Sequence, residues 1–319
     1  MDDDESEDFG GVSPAQRTAA INCRKNLDMI WLWQLYFIAS LFVVWGFILV
    51  AWARGGVGSG SYEFTRLMVY TVPGFLAIGF KWIVEHRGFK RVFPELGFSL
   101  GCLRFWPLAL AIPVAVLAVA HGVPLLAGLV HFDSSLSRLV EELAVAGQNI
   151  PADIWGFFWT RFGFSISLGL LLFLPITILT EMGFRAYPLE ILSERFGTRL
   201  TLILVGAFWA VALFPFLFIK NPYGSWLGMP VYLAFSWGWG VLMAWLYTRA
   251  RTVLVPALAL LILDVLDESL SYILPGSPLF SGAEGLVGAV LVLSLGIAAL
   301  FVTREIYIPS RKGLSSERS

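Results

Sequence analysis

Few residues in this sequence could do chemistry within its apolar stretches. The run Thr180-Glu181-Met182-Gly183-Phe184-Arg185 closes one of those stretches, and Glu181 and Arg185, four apart, share a helix face. The guanidinium can neutralise the carboxylate and fix its direction. Pro175, six residues before Glu181, frees a backbone carbonyl and predicts a kink just ahead of the pair. Asp264 stands near the middle of another apolar stretch, with Asp267 and Glu268 one turn further on. An ionisable group deep in hydrocarbon costs about 2.5–3.5 kcal/mol, so an acid placed there is a functional candidate by default. Asp264 has no local partner in the sequence. It must point into the interior, where a donor on another helix, Arg185 for one, is its natural counterpart. Each candidate also has a plain structural role. An ExxxR pair at a helix end is commonly an interfacial ion pair, and a mid-helix Asp can simply hydrogen-bond to a neighbouring helix.

Other chemistries lack their parts. The three histidines are His86, His121 and His131, and none falls on the apolar stretches that carry Glu181 and Asp264. A zinc site needs three or four ligands in close array, and no HExxH spacing is present. There is no GxSxG elbow, and Ser165 and Ser167 have no histidine beside them. Gly282, Gly285 and Gly288 suggest close helix approach rather than phosphate binding. No cofactor is implied, and a divalent metal is left open.

The elements that must position these residues are membrane-spanning helices. The chain has 319 residues, 57% hydrophobic and 14% charged, where a soluble domain carries about 25% charged residues. A net charge of −1 excludes a broad basic nucleic-acid surface. Two cysteines, Cys23 and Cys102, give no disulfide framework. A hydrocarbon core about 30 Å thick takes roughly 20 apolar residues per helix. Eight stretches qualify: 30–52, 64–84, 103–120, 155–180, 200–219, 229–247, 253–273 and 284–302. No strand is expected, because open sheet edges are not tolerated in lipid. With the N-terminus inside, seventeen of the 22 Lys and Arg fall inside, and Arg54, Arg66, Arg138, Arg161 and Lys220 fall outside. That bias places both termini in the cytoplasm. Between spans three and four, 134–148 has apolar residues at helical spacing, as a helix in the interface or a loop helix packed on the protein. Residues 1–28 read as an acidic, disordered tail, 29–305 as one transmembrane domain and 306–319 as a short tail. The fold class is therefore all-α and polytopic.

From about Phe89 to Asp264 the sequence resembles the CPBP family, the CAAX-protease and bacteriocin-processing (ABI or Rce1-like) glutamic-type intramembrane proteases. The features that carry it are the segment Arg91-Val-Phe-Pro-Glu-Leu-Gly-Phe98, Glu181 with Arg185 and Ala186, and Phe196-Gly197 before a helix holding Phe208. Leu246-Tyr247-Thr248-Arg249 and a Pro256-led helix with Asp264 complete them. The resemblance implies a catalytic core of helices four to seven with motifs EExxxR, FxxxH and HxxxN/D. Glu181, Arg185, Phe208 and Asp264 match. Thr180 stands for the first glutamate, and Ala212 and Leu260 stand where histidines belong.

The departures have chemical content. Peptide hydrolysis needs a base, a nucleophile and stabilisation of negative charge. Without two imidazoles and one carboxylate, Arg185 is the one evident oxyanion donor left. Two functions are expected on this basis. One is an intramembrane CAAX-type endopeptidase with a reworked site, with Glu181, Arg185 and Asp264 as catalytic candidates. The other is a pseudoenzyme that binds a membrane-anchored protein, a peptide or a lipid in the former active-site cavity. A small transporter ranks third, since no inverted repeat is visible. Thr180, Phe208, Ala212 and Leu260 are expected to line that cavity, open toward the cytoplasmic half. A multi-pass protein of a prokaryotic cell membrane is the expected setting, with the bilayer as its first partner and no nucleic acid.

Overall fold

The computed structural model describes residues 14–55, 60–219 and 223–303, so the acidic start and the last sixteen residues lie outside the described part. Helices and connecting loops make up all of it, with no strand among the described residues. In chain order the elements are α1 (Pro14–Ala53), α2 (Gly60–Gly79), α3 (Phe89–Glu95), α4 (Trp106–Leu126) and α5 (Ser137–Val145). Then come α6 (Ile154–Leu168), α7 (Leu174–Glu181), α8 (Tyr187–Ser193), α9 (Thr198–Leu213) and the short α10 (Phe216–Ile219). The last three are α11 (Gly228–Ala250), α12 (Leu254–Ile273) and α13 (Leu286–Val302). The first begins at Pro14, inside the segment expected to be a tail.

Six stretches are long and apolar enough to cross a membrane: 31–53, 64–84, 103–126, 154–193, 198–219 and 228–250. The two remaining expected spans are present as helices with one exception each, of charge for the first and of length for the second. The twenty-residue α12 carries Asp264, Asp267 and Glu268, and the strongly apolar α13 has 17 residues. Two boundaries differ from the sequence reading. The third span runs on to Leu126 and takes His121 into its last turns. The fourth runs to Ser193 as one 40-residue rod, α6 through α8. At about 1.5 Å per residue that is roughly 60 Å, twice a hydrocarbon core.

Two prolines explain how this rod holds together. Between α6 and α7, Gly169–Phe173 is a π turn closed by the Leu174 N–H on the Gly169 carbonyl. Between α7 and α8, Met182–Ala186 is a second one, closed by the Tyr187 N–H on the Met182 carbonyl. Each closes one residue before a proline, Pro175 and Pro188. Proline lacks an N–H and its ring clashes with the carbonyl four residues back. The wider turn relieves that clash without ending the helix.

Small residues then let neighbouring helices come close to this rod. A Cβ on Gly183 would sit 2.2 Å from the Pro73 backbone, and one on Gly74 would sit 2.3 Å from the Leu179 carbonyl oxygen. Elsewhere Gly238 and Gly296 bring α11 onto α13, and Gly206 and Gly240 bring α9 onto α11. Of the glycines expected to serve this purpose, Gly285 and Gly288 instead pack against their own loop at Ser281 and Ala283. The α5 helix is packed on the protein. Leu136, Leu139 and Leu143 are buried with Phe158 and Tyr272.

Candidate functional site

Glu181 ends α7, and Arg185 lies in the π turn that follows. Arg185 Nη1 stands 2.9 Å from Glu181 Oε1, and both side chains are wholly buried. The pair meets without the alignment of a hydrogen bond, and none of its side-chain nitrogens and oxygens has an aligned partner among the described residues. The Trp209 ring, 4.0 Å from the guanidinium carbon, supplies the remaining contact. Phe184 packs edge-on to that indole at 4.8 Å and lies 5.1 Å from the Phe208 ring. A cation stacked on an aromatic face gains about 2 kcal/mol when desolvated. Burial of the two charges is costly, so each ion is stabilised chiefly by the other.

Thr180, one residue before, is also fully buried. Its hydroxyl lies 2.9 Å from the Ile176 carbonyl and 3.0 Å from that of Tyr70, so it stitches α7 to α2. The Tyr36 hydroxyl does similar work 2.6 Å from the Gly183 carbonyl and 3.0 Å from that of Pro73. Donors from α1 and α7 thus meet backbone oxygens around Pro73 and the second π turn. These contacts are structural in kind.

The polar cavity lies elsewhere. It has a volume of about 60 Å³, room for a few water molecules. Asp264, Asp267 and Glu284 line it, with Leu260, Leu263 and Ser236. Aromatic rings of Tyr70, Trp209, Tyr232, Phe235 and Trp239 complete much of its wall. Asp264 is exposed, and no hydrogen bond holds its carboxylate among the described residues. Arg66 on α2 acts on it electrostatically. Asp267, one turn on, is held firmly. His121 Nε2 lies 2.8 Å from Asp267 Oδ1, and the Ala283 N–H donates to the same oxygen at 3.1 Å. This ties α4, α12 and the loop before α13 together.

The sequence candidates therefore divide into two groups. Asp264 and Leu260 face the cavity, while Glu181, Arg185, Thr180, Phe208 and Ala212 are absent from its wall. Trp209 separates them: it lines the cavity and carries Arg185 over its ring. Arg185 is paired with Glu181 and is not the partner of Asp264. The cavity opens near the start of α11, the end of α12 and the start of α13. By the Lys and Arg count that is the outer half, opposite to the expected cytoplasmic opening. His121, Tyr70, Tyr232 and Glu284 were missed as site residues. His121 lies one residue past the expected third span, 103–120, and only the longer α4 takes it in. Nothing local in the sequence pairs it with Asp267, 146 residues away.

Residues 162–266 match the family model described as type II CAAX prenyl endopeptidase Rce1-like. That segment is Rce1-like, in a chain whose apolar helices make it a multi-pass membrane protein. Among curated proteins, the CAAX prenyl protease 2 of Methanococcus maripaludis is 28% identical to it over 142 residues. That alignment takes in 41% of this chain and 52% of the relative, so the chain spans about half the relative's length. Every candidate read from the motifs, from Thr180 to Asp264, lies inside the matched segment. Asp267, His121, Tyr70 and Glu284 lie outside it.

Proposed function

We propose that this chain is a non-catalytic CPBP-like membrane protein that binds a peptide, protein or lipid partner in the cavity around Asp264. One observation carries the reading: the retained Glu181 and Arg185 are sealed together behind Trp209, outside the cavity. A general base must come within hydrogen-bond reach of the proton it removes, directly or through one water. Glu181 meets neither condition. The positions where relatives carry histidine hold Ala212 and Leu260, which cannot hydrogen-bond to a developing oxyanion. What remains is an aromatic and acidic hollow within a bundle of apolar helices. The lysine and arginine bias supports both termini lying in the cytoplasm, and the reading calls for no cofactor.

A second reading, an endopeptidase with a relocated site, is favoured by one feature. Asp264 is accessible, and His121 holds Asp267 one turn away. The test separates the two. The purified full chain in lipid nanodiscs is given a broad panel of membrane-anchored peptides, beside the Glu181→Ala and Asp264→Asn variants. A photo-crosslinking amino acid at Leu260 reports capture in the same samples. We expect a saturable crosslink to one class of anchored molecule and no cleavage by any form. Cleavage by the wild type that Asp264→Asn abolishes establishes the second reading instead.

A further inference from the structure

The connection between the second and third spans sorts its charges by face. Its acids turn inward. Lys81, wholly buried in the π turn Phe80–Val84, stands 3.3 Å from Glu85 and 3.5 Å from Glu95, and it donates to Glu190 on α8. Arg87 Nε lies 3.6 Å from Glu95. The bases turn outward. Lys90 and Arg91 on α3, and Arg104 just before α4, are exposed, and none of the three has a carboxylate within ion-pair reach among the described residues. Exposed apolar side chains accompany them. Phe89 adjoins Lys90, Leu103 adjoins Arg104, and Trp82, Phe98 and Leu100 are also open, all between 47% and 66% exposed. The rings form a ladder, Trp82 to Phe89 at 5.7 Å, Phe89 to Phe93 at 5.5 Å and Phe93 to Phe98 at 6.5 Å. The segment is anchored rather than loose. Val92 and Leu96 are fully buried, the Cys102 N–H donates to the Ala250 carbonyl at 2.7 Å, and the Val253 N–H donates to that of Gly97 at 3.0 Å. Its depth is fixed as well, because one span ends at Val84 and the next begins at Leu103. The connection therefore lies at a single membrane boundary, where rings meet acyl chains and cations meet phosphates.

From these features we infer that residues 82–104 form a docking surface for anionic phospholipid, of the phosphatidylglycerol kind, with Lys90, Arg91 and Arg104 on the phosphate and the ring ladder against glycerol and acyl chains. Two arguments choose this occupant. The surface continues the lipid-facing belt of the two spans it joins, so bilayer lipid is already beside it. Its outward charge is positive because the neighbouring acids are spent on Lys81 and Arg87, and guanidinium and ammonium groups are natural phosphate donors. A zwitterionic headgroup brings no net charge to set against three cations. The chain's own acidic start, residues 2–8, matches them in charge but has no apolar side chain to cover the rings. The inference is independent of what the Asp264 cavity holds.

The experiment uses the full chain, without Cys23 and Cys102, in phosphatidylcholine nanodiscs at physiological ionic strength. A fluorophore is attached at Leu103→Cys, beside Arg104, or at Leu126→Cys, the last residue of α4 and its opposite end. Increasing fractions of phosphatidylglycerol or phosphatidylcholine carrying a nitroxide near the headgroup are included, and quenching reports the lipid next to the label. A basic side chain at an anionic membrane surface contributes roughly fivefold in affinity. We expect half-quenching at position 103 at a fraction of phosphatidylglycerol at least about fivefold lower than of phosphatidylcholine, and no such preference at position 126. The triple variant Lys90→Gln, Arg91→Gln, Arg104→Gln should lose the preference. Lys90→Arg, Arg91→Lys, Arg104→Lys, which keeps the charges, should retain it. Unfolding midpoints show that each form is folded. Equal quenching by both lipids at position 103 overturns the inference, as does the same preference at position 126 or its survival in the glutamine variant. A further form replaces the acids at 2–8 with Asn and Gln. A preference that emerges only there assigns the surface to the acidic start and overturns the lipid reading, whereas an unchanged or stronger preference upholds it.

Discussion

At the scale of single residues, Glu181 and Arg185 show how spacing can be legible while role is not. A separation of four residues was enough to foresee the ion pair. Whether the pair faced water or sat behind an indole depended on Trp209, 24 residues further along a different helix, and spacing says nothing about that. The geometry has an energetic consequence. Removing one member of a fully buried pair leaves an uncompensated charge, at a cost of about 3–5 kcal/mol. Replacing both with apolar side chains of similar volume is close to neutral. Arg185→Met should therefore lower stability sharply, and adding Glu181→Leu should restore most of it, as read by unfolding of the detergent-solubilised protein. A catalytic Glu181 open to water would show no such rescue, since a solvated carboxylate tolerates the loss of its partner.

At the scale of elements, all eight expected spans appear as helices, because apolar runs of this length have few other solutions in a bilayer. The ends of the spans were less legible. Pro175 was expected to kink its helix, yet a π turn absorbs it and a second one absorbs Pro188, so the rod continues to Ser193. That second turn brings Gly183 onto the Pro73 backbone, where a Cβ would sit 2.2 Å from the carbonyl carbon and 2.3 Å from the Gly74 nitrogen. Backbone cannot yield as a flexible side chain does. Gly183→Ala should cost about 1–3 kcal/mol, measured as a lowered unfolding midpoint. Gly122→Ala, inside α4 with open space around its Cβ, serves as the control and should not lower it. The loop before α5 offers an element-level pH effect. Asp133 accepts from the hydroxyls and backbone N–H groups of Ser135 and Ser137, and these bonds hold its carboxyl well below the ordinary carboxylate range. A depressed value in the folded state means the bonds stabilise the loop above the ordinary value of 3.8 and lose that effect as pH falls through the folded one. Asp133→Ala should speed amide exchange in the first turn of α5 at pH 7, by about the loss of one helix cap. The gap from wild type should close as the solution is taken well below pH 3.8.

At the scale of the whole molecule, the family-like segment and the cavity overlap only in part. The matched residues 162–266 supply most of the wall: Trp209 and Leu213 on α9, Tyr232, Phe235, Ser236 and Trp239 on α11, and Leu260, Leu263 and Asp264 on α12. The remaining wall comes from α2, the loop before α13 and, through the Asp267 bond, α4. Motif reading follows the matched helices and is blind to side chains that arrive from others, which is why Asp264 was legible and its setting was not. The same arrangement fixes which side the cavity serves. Asp264 and Glu284 lie toward the end of the bundle that holds Trp226, while Cys102 lies toward the other end, beside Ala250, whose carbonyl accepts its backbone N–H at 2.7 Å. Trp226 is 68% exposed, so a cysteine there would be open to reagents. If the lysine and arginine bias governs insertion, the Trp226 end faces outward. In sealed right-side-out vesicles, a Trp226→Cys variant lacking Cys23 and Cys102 should react with a membrane-impermeant maleimide. A variant keeping only Cys102 should react only after the vesicles are opened. The opposite pattern would turn the cavity toward the cytoplasm, where any ligand must come from the inner leaflet or the cell interior.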